Sequence, residues 1–325
     1  CCAAWEFEEV TSRCSLLSDV PLGAFRQGTS SGVRGQWRWD GSCLTLDWPE
    51  IEQGQQPTTG NVSICAPASV SVELLSGTPA RQQLQLAVSH ATASSLGELY
   101  SAFAASGTLA GFSPSAAYGA IAITATLPPH SSIAVSCALA WYFPHRDYMG
   151  QNIGNFYSTL FPSSAAAGQS ILTSFDDSVA DILAVHSPFI SSNLPTWLSD
   201  VLLNSVSHVR SAWFQRNGNW RQWEAYDCVN VDSIHNDGER HLPYLFFIPE
   251  STRIKLLAWA QTQGRDGMLA EQLSCGCTGA VDPKLDHGCG RVMSDVSSMF
   301  VVYLLELHRW SNESALVRQL WPAAR

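Results

Sequence analysis

Between Glu224 and Glu239 the chain carries five carboxylates, at Glu224, Asp227, Asp232, Asp237 and Glu239. Arg221, Arg240, His235 and His241 lie among or beside them, and Trp220, Trp223 and Tyr226 surround the first. That density stands out in a chain of which only 14% is charged. A saccharide suits such a mixture, because sugar rings have apolar faces that pack on aromatic rings and hydroxyls that bond to carboxylates. Cleaving a glycosidic bond also needs two carboxyl groups, one as nucleophile or base and one as acid. The plainer alternative is a solvated loop between helices, with Asn236-Asp237-Gly238 as an ordinary turn. Composition alone leaves both open.

Other constellations carry less. Cys275, Cys277, His287 and Cys289 are zinc-type ligands, but their spacing is not that of a common knuckle, and thiols are the preferred reading. There is no Gly-x-Ser-x-Gly elbow and no full Gly-x-Gly-x-x-Gly after a strand. No metal and no cofactor is therefore expected.

The elements that must position these residues divide the chain near Ser191. From Cys1 to about Leu127 short apolar bursts, such as Ser42–Leu46, Val70–Leu75 and Leu84–Val88, alternate with Ser, Gly and Pro, as half-buried strands do. Ile121–Leu127 and Ile133–Phe143 read as a hairpin or as adjacent strands, and many short strands suggest an antiparallel β-sandwich. Phe143–Pro188 reads as a long connector. After Ser191 the period becomes helical. Trp197, Val201, Leu202, Val209 and Trp213 predict one helix, Ile254–Ala260 a second, Val296–His308 a third capped by Ser294-Asp295, and Ala315–Leu320 a fourth. Leu245–Ile248 alone there looks like a strand. The expected domains are residues 1–190, β with its connector, and 191–325, helical.

The 325 residues are 46% hydrophobic with 12 Trp, which implies a substantial core and excludes wholesale disorder. The formal charge of −10 argues against nucleic acid, and against an anionic membrane, as the main partner. The longest apolar stretch, Ala120–Phe143, is broken by Pro128-Pro129-His130-Ser131-Ser132, so no transmembrane helix is expected. Ten irregularly spaced cysteines suit reduced thiols and a cytoplasmic protein.

Trp-Glu-Ala-Tyr-Asp-Cys-Val-Asn-Val-Asp (223–232), followed by Pro-Tyr-Leu-Phe-Phe-Ile-Pro-Glu (243–250), resembles the nucleophile region of glycoside hydrolase family 116. That family includes non-lysosomal glucosylceramidases and bacterial β-glucosidases. Residues 99–109, 136–144, 194–204 and 300–322 resemble further family segments in the same order, so the likeness spans roughly residues 60–325. The resemblance implies an N-terminal β-sandwich followed by an (α/α)6 barrel, and retaining hydrolysis of β-glucosides, with glucosylceramide among the candidates. It places Glu224 as nucleophile within a Glu-x-x-Asp context shared with Asp227; such a carboxylate must stay ionised, and Arg221 is a neighbouring donor able to keep it so. Asp232 takes the place of a sugar-binding Asp, His287 that of a pocket histidine, and Trp223 lies beside the nucleophile as a sugar-binding residue. The implied partner is a β-linked sugar or a glycolipid, the latter with peripheral membrane contact; oligomeric state is left open.

The partner acid, an Asp expected about 5–5.5 Å from the nucleophile, comes in the family from a later part of the barrel. About twelve helices of about 11–12 residues exceed the ~130 residues after Ser191, so an incomplete barrel is expected. Exposed apolar helix faces should follow. The alternative function is a non-catalytic carbohydrate-binding or degenerate glycosidase-like protein.

Overall fold

The computed structural model describes residues 13–18, 35–48, 60–74, 82–127, 131–148, 151–225, 228–274, 288–290 and 293–325. They form a β plus α chain with two compact units, Cys1–Arg146 with Tyr157–Ala180, and Asp147–Phe156 with Asp181–Arg325.

The first unit holds strands β1 (Arg13–Ser18), β2 (Gln36–Trp39), β3 (Cys43–Trp48), β4 (Gly60–Cys65), β5 (Ser69–Leu74), β6 (Gln82–Gln85) and β7 (Ala87–Ala93), then helix α1 (Leu96–Ser106). Strands β8 (Tyr118–Thr124), β9 (Ser131–Ser132) and β10 (Ala138–Tyr142) follow, and helix α2 (Ser164–Thr173) closes the unit. The sheet orders are β1-β8-β7, β10-β4-β3-β2 and β6-β5-β9, with antiparallel pairing. Alternation drives this arrangement. Trp37, Leu44, Leu46 and Ile64 share a core with Ile121 and Ile123 of β8. A Cβ on Gly119 would fall 2.8 Å from the Trp37 ring, so only glycine lets β8 come that close.

Ser95 caps α1, accepting from the Glu98 N–H at 3.3 Å, and Gly107 ends it with φ 70°. Helix α2 lies on β3, β4 and β10 through small residues. Thr45, Ser63 and Ser164 join hydroxyls at 2.7 and 2.6 Å, and Gly168 leaves room for Cys65 Sγ.

Three expectations for this half change. Cys43 and Cys65, directly opposed on β3 and β4, form a buried disulfide, and Cys289 elsewhere is also disulfide-bonded, which removes the ground for a reduced, cytoplasmic reading. The strands over Ile121–Leu127 and Ile133–Phe143 enter different sheets and do not pair. Phe143–Pro188 is no bare connector, because α2 and helix α3 (Phe175–Ile190) occupy much of it. Trp141 on β10 is 51% exposed.

The second unit begins with strands β11 (Asp147–Tyr148) and β12 (Gln151–Asn152). After helix α4 (Thr196–Asn204) and a 3-10 segment (Ser205–Ser211) come β13 (Ala212–Phe214), β14 (Trp220–Ala225) and β15 (Cys228–Ser233). Helices α5 (Ile234–Phe247) and α6 (Pro249–Gln261), strand β16 (Gln272–Ser274), and helices α7 (Val296–Ser311) and α8 (Ser314–Ala324) complete it. The antiparallel sheet β13-β14-β15-β16 was not expected, and Leu245–Phe247 is helical, not strand. Trp213, expected to continue the first helix, lies on β13, and α8 runs past Trp321-Pro322. Ile234, Leu256, Trp259, Phe300, Leu304 and Leu316 form the helical core. Among the described residues no helix is long and apolar enough to cross a membrane.

Candidate functional site

The stretch for which a solvated loop was one alternative is a β-hairpin followed by a helix, and it positions the carboxylates differently from one another. In the β14–β15 ladder Trp223 pairs with Val231 and Ala225 with Cys228, so the register slips by one residue between them. Two residues of β15, Val229 and Asn230, thus stand opposite the single Glu224 of β14. Such bulges bend a strand and re-aim side chains, and they are frequent beside active sites. Glu224 therefore has a described backbone position on β14, at the bulge. Asp227 and His287 lie outside the described residues, as do Cys275 and Cys277. The disulfide at Cys289 removes it as a thiolate ligand.

Trp223 is half-buried. Its ring meets Trp213 edge-on with centroids 4.2 Å apart and Tyr148 at 5.6 Å, and these three pack with Val231. Asp232, at the end of β15, is only 1% exposed. Its φ of 47° puts it in the left-handed region, which Asp tolerates better than most residues and which turns the strand into α5.

Around Asp232 the structure assembles a buried charge cluster. Lys255 Nζ on α6 lies 2.9 Å from Asp232 Oδ1, and the Gln222 N–H donates to the same oxygen at 3.1 Å. Lys255 also donates to both carboxylate oxygens of Asp237 on α5, each at 2.9 Å. Arg221 Nε stands 3.9 Å from Asp232 Oδ2, and its Nη1 donates to the Trp220 carbonyl. Arg221 and Lys255 are 1% and 2% exposed. Two cations thus face two carboxylates, which is what makes such burial tolerable. Burial lifts the Asp232 carboxyl to about 6, against the opposing pull of Lys255. Burial also works to discharge Lys255, but Asp232 and then Asp237 outweigh it and raise its pKa.

Next to this cluster His241 stacks on Tyr303 with centroids 4.2 Å apart, and its Nε2 lies 2.9 Å from Glu306 Oε2. Burial lowers the His241 pKa despite that carboxylate. The Tyr303 hydroxyl donates to the Ile234 carbonyl at 3.0 Å. His235 sits 3.1 Å from Asp295. Among the described residues no group of His, Cys, Asp or Glu is arranged to hold a metal ion.

Of the expected site residues, the structure brings Asp232 and Trp223 onto one hairpin with the backbone of Glu224. Arg221, expected to serve Glu224, stands 3.9 Å from Asp232 Oδ2. Asp237 is no turn residue but a helical, buried ion-pair partner. Lys255 was not singled out from sequence. The signal was there, as the one charge inside Ile254-Lys255-Leu256-Leu257.

Residues 26–178 match the family model described as beta-glucosidase 2, glycosyl-hydrolase family 116 N-term. No curated protein matches the chain. The matched segment ends before β13, so it covers none of the hairpin.

Proposed function

We propose, taking this chain as a member of glycosyl-hydrolase family 116, that it is a retaining β-glycosidase acting on β-glucosides. The family match over residues 26–178 is the observation that carries this reading. In it, Glu224 attacks the anomeric carbon and forms a covalent glycosyl-enzyme, while a second carboxylic acid protonates the leaving oxygen. Asp232, Asp227 and His287 hold sugar hydroxyls, and Trp223 packs on the ring. Residues 1–190 are read as a β-sandwich with its connector, and 191–325 as the first helices of an (α/α)6 barrel. The shared core of β2, β3, β4 and β8 supports the first of these. The bulge beside Glu224 supports its placement as a reactive group. The substrate class extends to glycolipids such as glucosylceramide.

The test is covalent labelling with 2-deoxy-2-fluoro-β-glucosyl fluoride. Fluoride leaves with little help from an acid, so the probe interrogates the nucleophile separately from its partner. Mass spectrometry is expected to find the label on the peptide containing Glu224, and Glu224→Gln to abolish it. A label on another residue, retained in Glu224→Gln, would rule the assignment out. A second reading, a non-catalytic carbohydrate-binding protein, is favoured by the engagement of Asp232 Oδ1 with Lys255 and Gln222. It predicts saturable binding of a β-glucoside with no label.

A further inference from the structure

We infer that Lys255 is a positioning residue: by clamping Asp232 Oδ1 it presents the other carboxylate oxygen, Oδ2, to a hydroxyl of the bound glycoside. The inference rests on the preceding reading of Asp232 as a sugar-binding residue.

Donor arithmetic separates the two oxygens. An ammonium has three N–H donors and no acceptor. Lys255 Nζ has three carboxylate oxygens at 2.9 Å, Asp232 Oδ1 and both oxygens of Asp237. Its donors are therefore consumed, and it has none left for a ligand. Asp232 Oδ1 takes the Gln222 N–H as well. Oδ2 is buried and makes no hydrogen bond among the described residues, and Arg221 Nε is 3.9 Å away. Buried carboxylate oxygens are strong acceptors and are rarely left unbonded. A neutral polyol can satisfy Oδ2 without bringing a competing charge. Held at φ 47° at the strand-to-helix turn, Asp232 depends on this clamp for its orientation.

Among the described residues the charged groups acting on Asp232 are Arg221 from β14, Lys255 from α6 and Asp237 from α5. Lys255 opposes the effect of burial on the Asp232 carboxyl more than Asp237 adds to it. Removing both together keeps the charge count and still favours the protonated acid.

Binding of phenyl 1-thio-β-glucoside, neutral and resistant to hydrolysis, is measured by calorimetry across acidic to neutral pH. Wild type is expected to bind, with affinity lost toward low pH as Asp232 protonates, and Asp232→Asn to lose binding. Lys255→Met with Asp237→Leu should weaken binding by about tenfold and move the acid limb to higher pH. Lys255→Arg keeps a cation but displaces it, so affinity should fall while the acid limb stays, which guards against a double variant that does not fold. Wild-type affinity and pH profile in these variants, with Asp232→Asn still defective, overturn the role of Lys255 alone. Normal binding by Asp232→Asn overturns the assignment beneath it. No binding by the wild-type protein overturns both.

Discussion

Lys255 sits in α6 between Ile254 and Leu256, where an aliphatic side chain would satisfy the local pattern. Its burial is explained by two carboxylates arriving from the two elements that precede α6, Asp232 from β15 and Asp237 from α5. A carboxyl raised from 3.8 to about 6 binds its proton more tightly in the folded than in the unfolded chain. Its contribution, on the order of 2–3 kcal/mol, is fully present below the unfolded value and is lost as pH rises through the folded one. Asp232→Asn does not titrate. The stability of wild type relative to this variant, from urea unfolding, is therefore expected to be greater at about pH 4.5 than at about pH 7. A constant difference would contradict the buried titration. Asp232 was legible in the sequence because its neighbourhood is dense in carboxylates and aromatics. Lys255 was not, because pattern reading assigns a lone charge on a helix to solvent.

At the scale of elements, strands with clean alternation were readable: β3 and β5 fall within about two residues of their expected bounds. Helix α2 was missed because Ser164-Ala-Ala-Ala-Gly168 has no apolar stripe, and small residues are what its seat on the sheet requires. Helix α5 was missed because Leu245-Phe-Phe-Ile248 imitates a buried strand, while Gly238 and Pro243 look like breakers. The disulfide was missed because pairing is a tertiary property. Cys43 and Cys65 are 22 residues apart, and closing that loop restricts the unfolded chain by about 3 kcal/mol. Replacing both by Ala, or reducing the wild type, should lower the first unit's unfolding free energy by about that amount in denaturant titrations. Identical transitions with and without reductant would count against the bond's contribution.

At the scale of the whole molecule, the chain divides into two compact units, with a break inside α3. Helical apolar residues are unusually bare, among them Ile190 at 72%, Trp197 at 67%, and Ile182, Val201, Val302 and Trp310. Exposed patches of this kind bind hydrophobic dyes and promote association. The purified chain is expected to enhance 1-anilinonaphthalene-8-sulfonate fluorescence while still folded, and Ile190→Lys with Trp197→Glu to diminish that signal. A wild-type signal no higher than that of a compact globular standard would oppose this. The net charge of −10 limits such association through mutual repulsion, so added salt should promote it.

Because β15 sets Val229 and Asn230 against Glu224, losing either one would return the ladder to one-for-one pairing and take the bend out of the hairpin there. The length of this segment is thus a requirement of its own, separate from the identity of its side chains.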